Sequence, residues 1–383
     1  MIPDDPTADA VRARSDARPA GRDPFVDFVR AFSLIVVVVW HWAFTIVIWE
    51  DDGPHATNPI GFTRGMWLLT WLFQVMPLFF YIGGYGHLRS WERAQEEGRS
   101  VGSLVVSRLR RLAIPSAALL LVWVALGALL GALFNLEWIG RAVLLVISPL
   151  WFIAVYLMLV ALLPITLRLH ARFGTTVLVF MAGLAGLIDI TRFRDDRPWL
   201  GIANMVLVWG LCHQLGFFYE KVVAAPRQTD WTLMFGGLFA LVGLVYSGLY
   251  PGSMVGVPGE RSNMAPPTLC IVALVFFQAG LAEILRPWLS ERLRTPGWAR
   301  VNELINRFSM PLFLFHTTGM ALALALGYAL RGNSNDPVDP DLHWWLTRPL
   351  ALVFPLLFTL PVIWLFGRRW TTQPAAELRP AQK

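Results

Sequence analysis

Ten apolar runs, most of them long enough to cross a bilayer as a helix, follow one another along this chain and leave it few alternatives. They cover roughly 25–49, 66–86, 112–134, 143–164, 175–190, 202–218, 231–250, 268–285, 308–330 and 346–367. About 20 helical residues, rising ~1.5 Å each, span the hydrocarbon core. Only helices and closed barrels satisfy their own backbone there. The expected fold is therefore an all-α polytopic membrane protein with about ten transmembrane helices. The fifth and sixth runs are short, so a tilted or broken helix is expected there. Charged residues make up 15% of the 383, against about 25% in soluble domains.

The basic residues give an orientation. With the N-terminus in the cytoplasm, 23 Lys and Arg fall on the cytoplasmic side and 8 on the other, Arg30 lying within the membrane. By the positive-inside rule both termini are cytoplasmic, and the chain is a multi-pass protein of the plasma membrane. The cluster Arg192, Arg194 and Arg197 is a local violation, partly offset by Asp195 and Asp196. The net charge of +6 need not mean a nucleic-acid partner, and none is expected, because no basic patch interleaved with aromatics is present. Cys212 and Cys270, both in apolar runs, suggest neither a disulfide framework nor a metal set. Residues 1–21 and 371–383 are expected as flexible cytoplasmic tails around a transmembrane domain at 22–370. The first run reads as an uncleaved helix, not a signal peptide.

Polar groups inside the apolar runs point to a working site. A charge at bilayer depth costs about 2.5–3.5 kcal/mol on insertion scales, so Asp27, Arg30 and His41 in one run are costly to place without a purpose. Eleven helical residues return to within ~20° of the starting direction, so Arg30 and His41 share a face about 16 Å apart. Asp27 lies one turn before Arg30 and can pair with it. The guanidinium is then near one membrane surface and the imidazole much deeper.

Other positions carry weaker signals. Gly83, Gly84 and Gly86 allow a close helix approach, and His87 is expected at the cytoplasmic edge, where it could as easily be solvated as serve a site. Arg108 and Arg111, one turn apart and flanking Arg110, suit either phosphate binding or an anchor for anionic headgroups. Trp151 and Tyr156 are amphipathic aromatics. Asn204, His213 and Gln214 either tie helices together or line a substrate path. His316 lies about 12 Å into the ninth run, with Ser309, Thr317 and Thr318 as nearby donors. No His-x-x-x-His or acidic pair stands at ligand spacing, so no metal is expected.

Together these positions resemble the acyltransferase type 3 family of membrane proteins. Asp27-x-x-Arg30, ten residues, then His41 is similar to its first-helix motif. Phe79-Phe80-Tyr81-Ile82-Gly83-Gly84-Tyr85 resembles its F-F-x-x-S-G-F stretch, with Gly83 and Tyr85 departing. Arg108-x-x-Arg111 resembles its cytoplasmic R-x-x-R. Ser309 to His316 resembles S-Y-x-x-Y-L-x-H, with Met310 and Phe313 in place of tyrosines. The resemblance spans roughly 22–370 and implies transfer of an acyl group, usually acetyl, from cytoplasmic acyl-CoA. The acceptor would be a hydroxyl of a cell-envelope glycan, glycolipid or secondary metabolite. It implies His41 as catalytic residue, with Arg30 and Asp27. Arg108, Arg111, Arg30, Ser309 and His316 would be on the acyl-CoA side, with a possible lining from Trp151, Tyr156, Asn204, His213 and Gln214. The bilayer is the remaining partner, and a homo-oligomer stays open. A proton-coupled transporter or flippase of a small polar or lipid-linked substrate is the competing reading, since it too would use intramembrane His, Arg and Asp.

Overall fold

The computed structural model describes residues 23–195, 197–331 and 340–366. The tails expected at 1–21 and 371–383 lie outside the described residues. In chain order, α1 (Pro24–Phe44) is followed by a hairpin of β1 (Ile46–Glu50) and β2 (Gly53–Thr57). Then come α2 (Leu69–Phe73), α3 (Met76–Glu96), α4 (Val101–Phe134), α5 (Ile139–Ile147), α6 (Leu150–Phe173), α7 (Thr176–Arg194) and α8 (Gly201–Leu215). The remainder is α9 (Tyr219–Ala224), α10 (Arg227–Tyr246), α11 (Leu269–Leu293), α12 (Pro296–Arg331) and α13 (Leu342–Leu365). Among the described residues nine helical stretches are long and apolar enough to cross a membrane. A tenth forms if α5 and the start of α6, bent by 44°, make one span.

The ten apolar runs are thus all helical, but their bounds and breaks differ from expectation. The first helix ends at Phe44. The apolar stretch after it enters the antiparallel hairpin, pairing Ile46 with Thr57 and Glu50 with Gly53. Gly53, at φ 120, takes a backbone conformation closed to other residues at the turn. A break that was not expected lies in the fourth span, at Ser148-Pro149, where proline has no amide hydrogen to continue the ladder, and the sixth run leaves the α-helix for a 3-10 turn at Gly216–Phe218. α7 is continuous. The second span is also broken, at Gln74-Val75. There Gln278 of α11 donates to the carbonyls of Trp71 (3.2 Å) and Gln74 (2.9 Å), replacing helix bonds that the break removes.

The chain divides into two compact units. The first comprises residues up to Val29, Ile60–Ile114 and Trp151–Glu291. Lipid tails are as apolar as leucine, so close packing has to hold its helices together. Glycine supplies it: a Cβ on Gly84 of α3 would collide with the His213 carbonyl of α8, and one on Gly216 with the Tyr81 carbonyl. Gly237 of α10 and Gly280 of α11 meet each other's backbones in the same way. Gly86, by contrast, has nothing within 4 Å of its would-be Cβ.

The second unit comprises Arg30–Pro59, Pro115–Leu150 and residues from Arg292 onward. Leu314 and Phe315 of α12 form its core with Leu119 of α4 and Ile363 of α13. Gly319 lets α12 approach Pro355 and Thr359 of α13. Asp341 caps α13 by accepting from the Trp344 amide at 2.7 Å. Trp49 of the hairpin packs on Trp138 and Tyr328, at ring distances of 5.0 and 5.4 Å.

Candidate active site

In the second unit two helices meet at two stations. Arg30 and His41 are eleven residues apart on α1, about 16 Å of rise, and Asn306 and His316 are ten apart on α12, about 15 Å. Arg30 Nη2 donates to Asn306 Oδ1 at 3.0 Å, and His41 Nδ1 lies 2.8 Å from His316 Nε2. Nearly equal spacing read in the same chain direction means that the two helices run parallel here.

Each station is held from behind. Asn306 Nδ2 donates to the Asn302 carbonyl at 2.9 Å and its side-chain oxygen at 3.0 Å. Ser309 Oγ donates to the Asn306 carbonyl at 3.2 Å. At the other station the Trp42 indole donates to the His316 backbone carbonyl at 3.0 Å. His316 Nδ1 lies 2.5 Å from the Phe313 carbonyl. His316 is fully buried, whereas His41 is half-buried and so can be reached. Asp27 is buried on α1, one turn before Arg30.

The first unit holds the other expected cations. α4 begins at Val101, eleven residues before the apolar run, so Arg108, Arg110 and Arg111 stand on a helix that extends past the apolar stretch. Arg108 Nη2 donates to Ser90 Oγ at 2.5 Å, while Arg110 and Arg111 are exposed. One turn before Ser90 is His87, which is not at an open edge. α3 continues to Glu96, ten residues beyond the expected end of the run, and this leaves His87 within the packed helix and only 1% exposed. Its Nδ1 lies 2.8 Å from His213 Nε2 and its Nε2 is 3.0 Å from the Tyr156 hydroxyl.

The five residues expected as a weak lining therefore separate. Tyr156 and His213 meet through His87. Trp151 packs on Trp209 at a ring distance of 5.9 Å, and Gln214 donates to the Thr166 carbonyl at 3.4 Å. Asn204 donates to Asp189 Oδ1 at 2.9 Å. Asp189, buried in α7, was not singled out by sequence, although it is a carboxylate inside an apolar run like Asp27. Its Oδ2 accepts from the amide of Leu269, the first residue of α11, at 2.8 Å and from the Tyr250 hydroxyl at 3.3 Å. Burial first, then the Asp189 charge, push the Tyr250 phenol above its ordinary pKa, so it remains a donor. A second unforeseen group is Arg286, which pairs with Asp23 at 2.7 Å and Glu283 at 3.3 Å.

The hairpin sets an acidic pair, Glu50 and Asp52, at a ligand spacing that the sequence reading did not find. Ligand atoms of Glu50, Asp52 and His55 lie within 4.8 Å of one another. Asp52 is already engaged by Arg141 and, at 2.7 Å, by His55. The exposed cluster is thus already partly engaged and carries no metal assignment.

Comparison with known proteins places these residues in context. No curated protein and no solved structure matches the chain. The sequence model of the acyltransferase type 3 family, described as an acyltransferase domain, matches residues 23–368. With that match covering most of its length, and with nine or ten stretches among the described residues long and apolar enough to cross a membrane, the chain belongs to the acyltransferase type 3 family of multi-pass membrane proteins.

Proposed function

We propose that this membrane acyltransferase takes an acyl group, acetyl in the first instance, from cytoplasmic acyl-CoA. It passes the group to a hydroxyl of a cell-envelope glycan, glycolipid or secondary metabolite. The observation that carries the reading is His41: a half-buried imidazole on a membrane helix, backed by a fully buried partner. A neutral imidazole offers one bare ring nitrogen, which suits a general base. His41 takes the proton of the acceptor hydroxyl while its oxygen attacks the thioester carbonyl. The carbon–sulfur bond breaks, and the proton passes on to the departing CoA thiolate, giving ester and free thiol. Arg108 and Arg111 hold CoA phosphates through charge-assisted hydrogen bonds. Arg30, held by Asn306, positions the donor, with Asp27 one turn before it on α1, and Ser309 supports Asn306. The protein sits in the plasma membrane with both termini cytoplasmic.

The test uses purified full-length protein, wild type and His41→Ala, with radiolabelled acetyl-CoA and a lipid and glycan extract. Release of CoA with label appearing in the extract, lost in the variant, supports the reading. Absence of acetyl-CoA binding and turnover in the wild type overturns it and favours a proton-coupled transporter.

A further inference from the structure

We infer that His316 is a positioning residue that fixes the tautomer of His41, so that the base is His41 Nε2. This rests on His41 acting as the base. A carbonyl oxygen can only accept, so His316 Nδ1, 2.5 Å from the Phe313 carbonyl, carries a proton. In a neutral imidazole the other nitrogen then has a bare lone pair. His316 Nε2 is therefore an acceptor, and the hydrogen in the 2.8 Å contact belongs to His41 Nδ1. That leaves His41 Nε2 with its lone pair bare. Among the described residues nothing hydrogen-bonds it.

The ring geometry fits this arrangement. The two imidazole planes differ by 5° and their centroids are 5.0 Å apart, the sum of two ring radii and the 2.8 Å contact. The hydrogen bond therefore runs along the line of centres, in the plane where the acceptor lone pair points. The Trp42 indole holds the backbone of His316 from α1, so the pair is clamped through both main chain and side chain.

The proton inventory closes. The acceptor hydroxyl proton goes to His41 Nε2, and His41 becomes an imidazolium whose Nδ1–H still donates to His316 Nε2. The proton then leaves Nε2 for the thiolate. His316 keeps one proton throughout, orienting the ring and stabilising the cation much as an aspartate does behind a catalytic histidine. Being fully buried with both nitrogens engaged, it has no atom free to touch the donor, so orientation replaces the donor contact that resemblance implied.

The experiment is nitrogen NMR of full-length protein labelled with 15N-histidine, in nanodiscs, the His41 signals identified by their loss in His41→Ala. The wild type should show His41 protonated on Nδ1 and bare on Nε2. In His316→Leu the His41 proton should move to Nε2, with kcat down roughly 100-fold and KM for acetyl-CoA changed less than about twofold. His316→Gln, whose amide oxygen can accept from Nδ1–H, should restore the tautomer and most of kcat. A wild-type His41 protonated on Nε2, or an unchanged tautomer in His316→Leu, overturns the inference. If the Leu variant does not fold, the wild-type spectrum and the Gln variant decide. Retained transfer in His41→Ala would instead remove the base assignment, and the tautomer measurement separates that failure from this one.

Discussion

His87 Nδ1 and His213 Nε2 stand 2.8 Å apart, a second histidine pair with the same bond length as His41 and His316. The two pairs differ in access. His87 and His213 are 1% and 0% exposed, while His41 is half-buried with an open nitrogen. Location inside the packed α3–α8 contact makes the first pair a tie between helices. Replacing His87 or His213 by Leu should therefore cost about 1–3 kcal/mol, because each leaves a buried polar partner unpaired. The double variant should cost less than the sum. Thermal unfolding in detergent measures this. Loss of CoA release in a His87→Leu protein that unfolds at the wild-type temperature would make the pair part of the chemistry.

Arg108 and Arg111 should act on donor affinity. Arg108→Gln and Arg111→Gln are each expected to raise KM for acetyl-CoA roughly tenfold with little change in kcat, since charge-assisted bonds to phosphate are worth about 1.5–3 kcal/mol. Lysine at either position should recover only part, having a point charge in place of a planar fork. Steady-state kinetics with acetyl-CoA and with a truncated thioester lacking the nucleotide separate the cases. An equal loss on both donors would place the arginines away from the phosphates.

The glycines of α3 should respond in opposite ways. Gly84→Ala puts a Cβ into the His213 carbonyl, and the protein is expected to lose its folded peak in size-exclusion chromatography. Gly86→Ala meets open space inside a helix and should be neutral or stabilising by about 0.5–1 kcal/mol. A folded, active Gly84→Ala would show that α3 and α8 can separate without harm.

Asp52 gives a pH expectation outside the membrane. The hydrogen bond from His55, then the charge of Arg141, hold its carboxyl below its ordinary pKa. A lowered native pKa stabilises the fold above the ordinary carboxylate range, and the contribution is lost as pH falls through the lowered value. Acidification from neutral to mildly acidic pH should therefore leave the Asp52–Arg141 pair intact. The group is fully exposed, so its effect on overall stability is small. Carboxylate NMR of Asp52 checks this, and titration at or above the ordinary value would contradict it.

The sequence was most legible where the cause is local. Apolar run length marks a membrane helix because the bilayer has a fixed thickness and each residue a fixed rise. The same regularity put Arg30 and His41 on one face before any neighbour was known. Boundaries were less legible, because polar residues can continue a helix beyond the apolar stretch, as in α3 and α4. Residues 46–49 are as apolar as a membrane helix but are rich in isoleucine and valine, and they pair as a strand.

By itself, then, the sequence determined a chain of about ten membrane helices, with an arginine and a histidine displayed on one side of the first. Only the tertiary structure decided what stands behind them. Asn306 and His316 are more than 270 residues away along the chain, and nothing in their local spacing names Arg30 and His41 as partners. The burial of His87 was not legible for the same reason: it depends on α8, which reaches α3 through Gly84 and Gly216. Helix formation is governed by each segment's own backbone and solvent. The pairing of helices is governed by shape between segments far apart in sequence, and that information appears only when the helices pack.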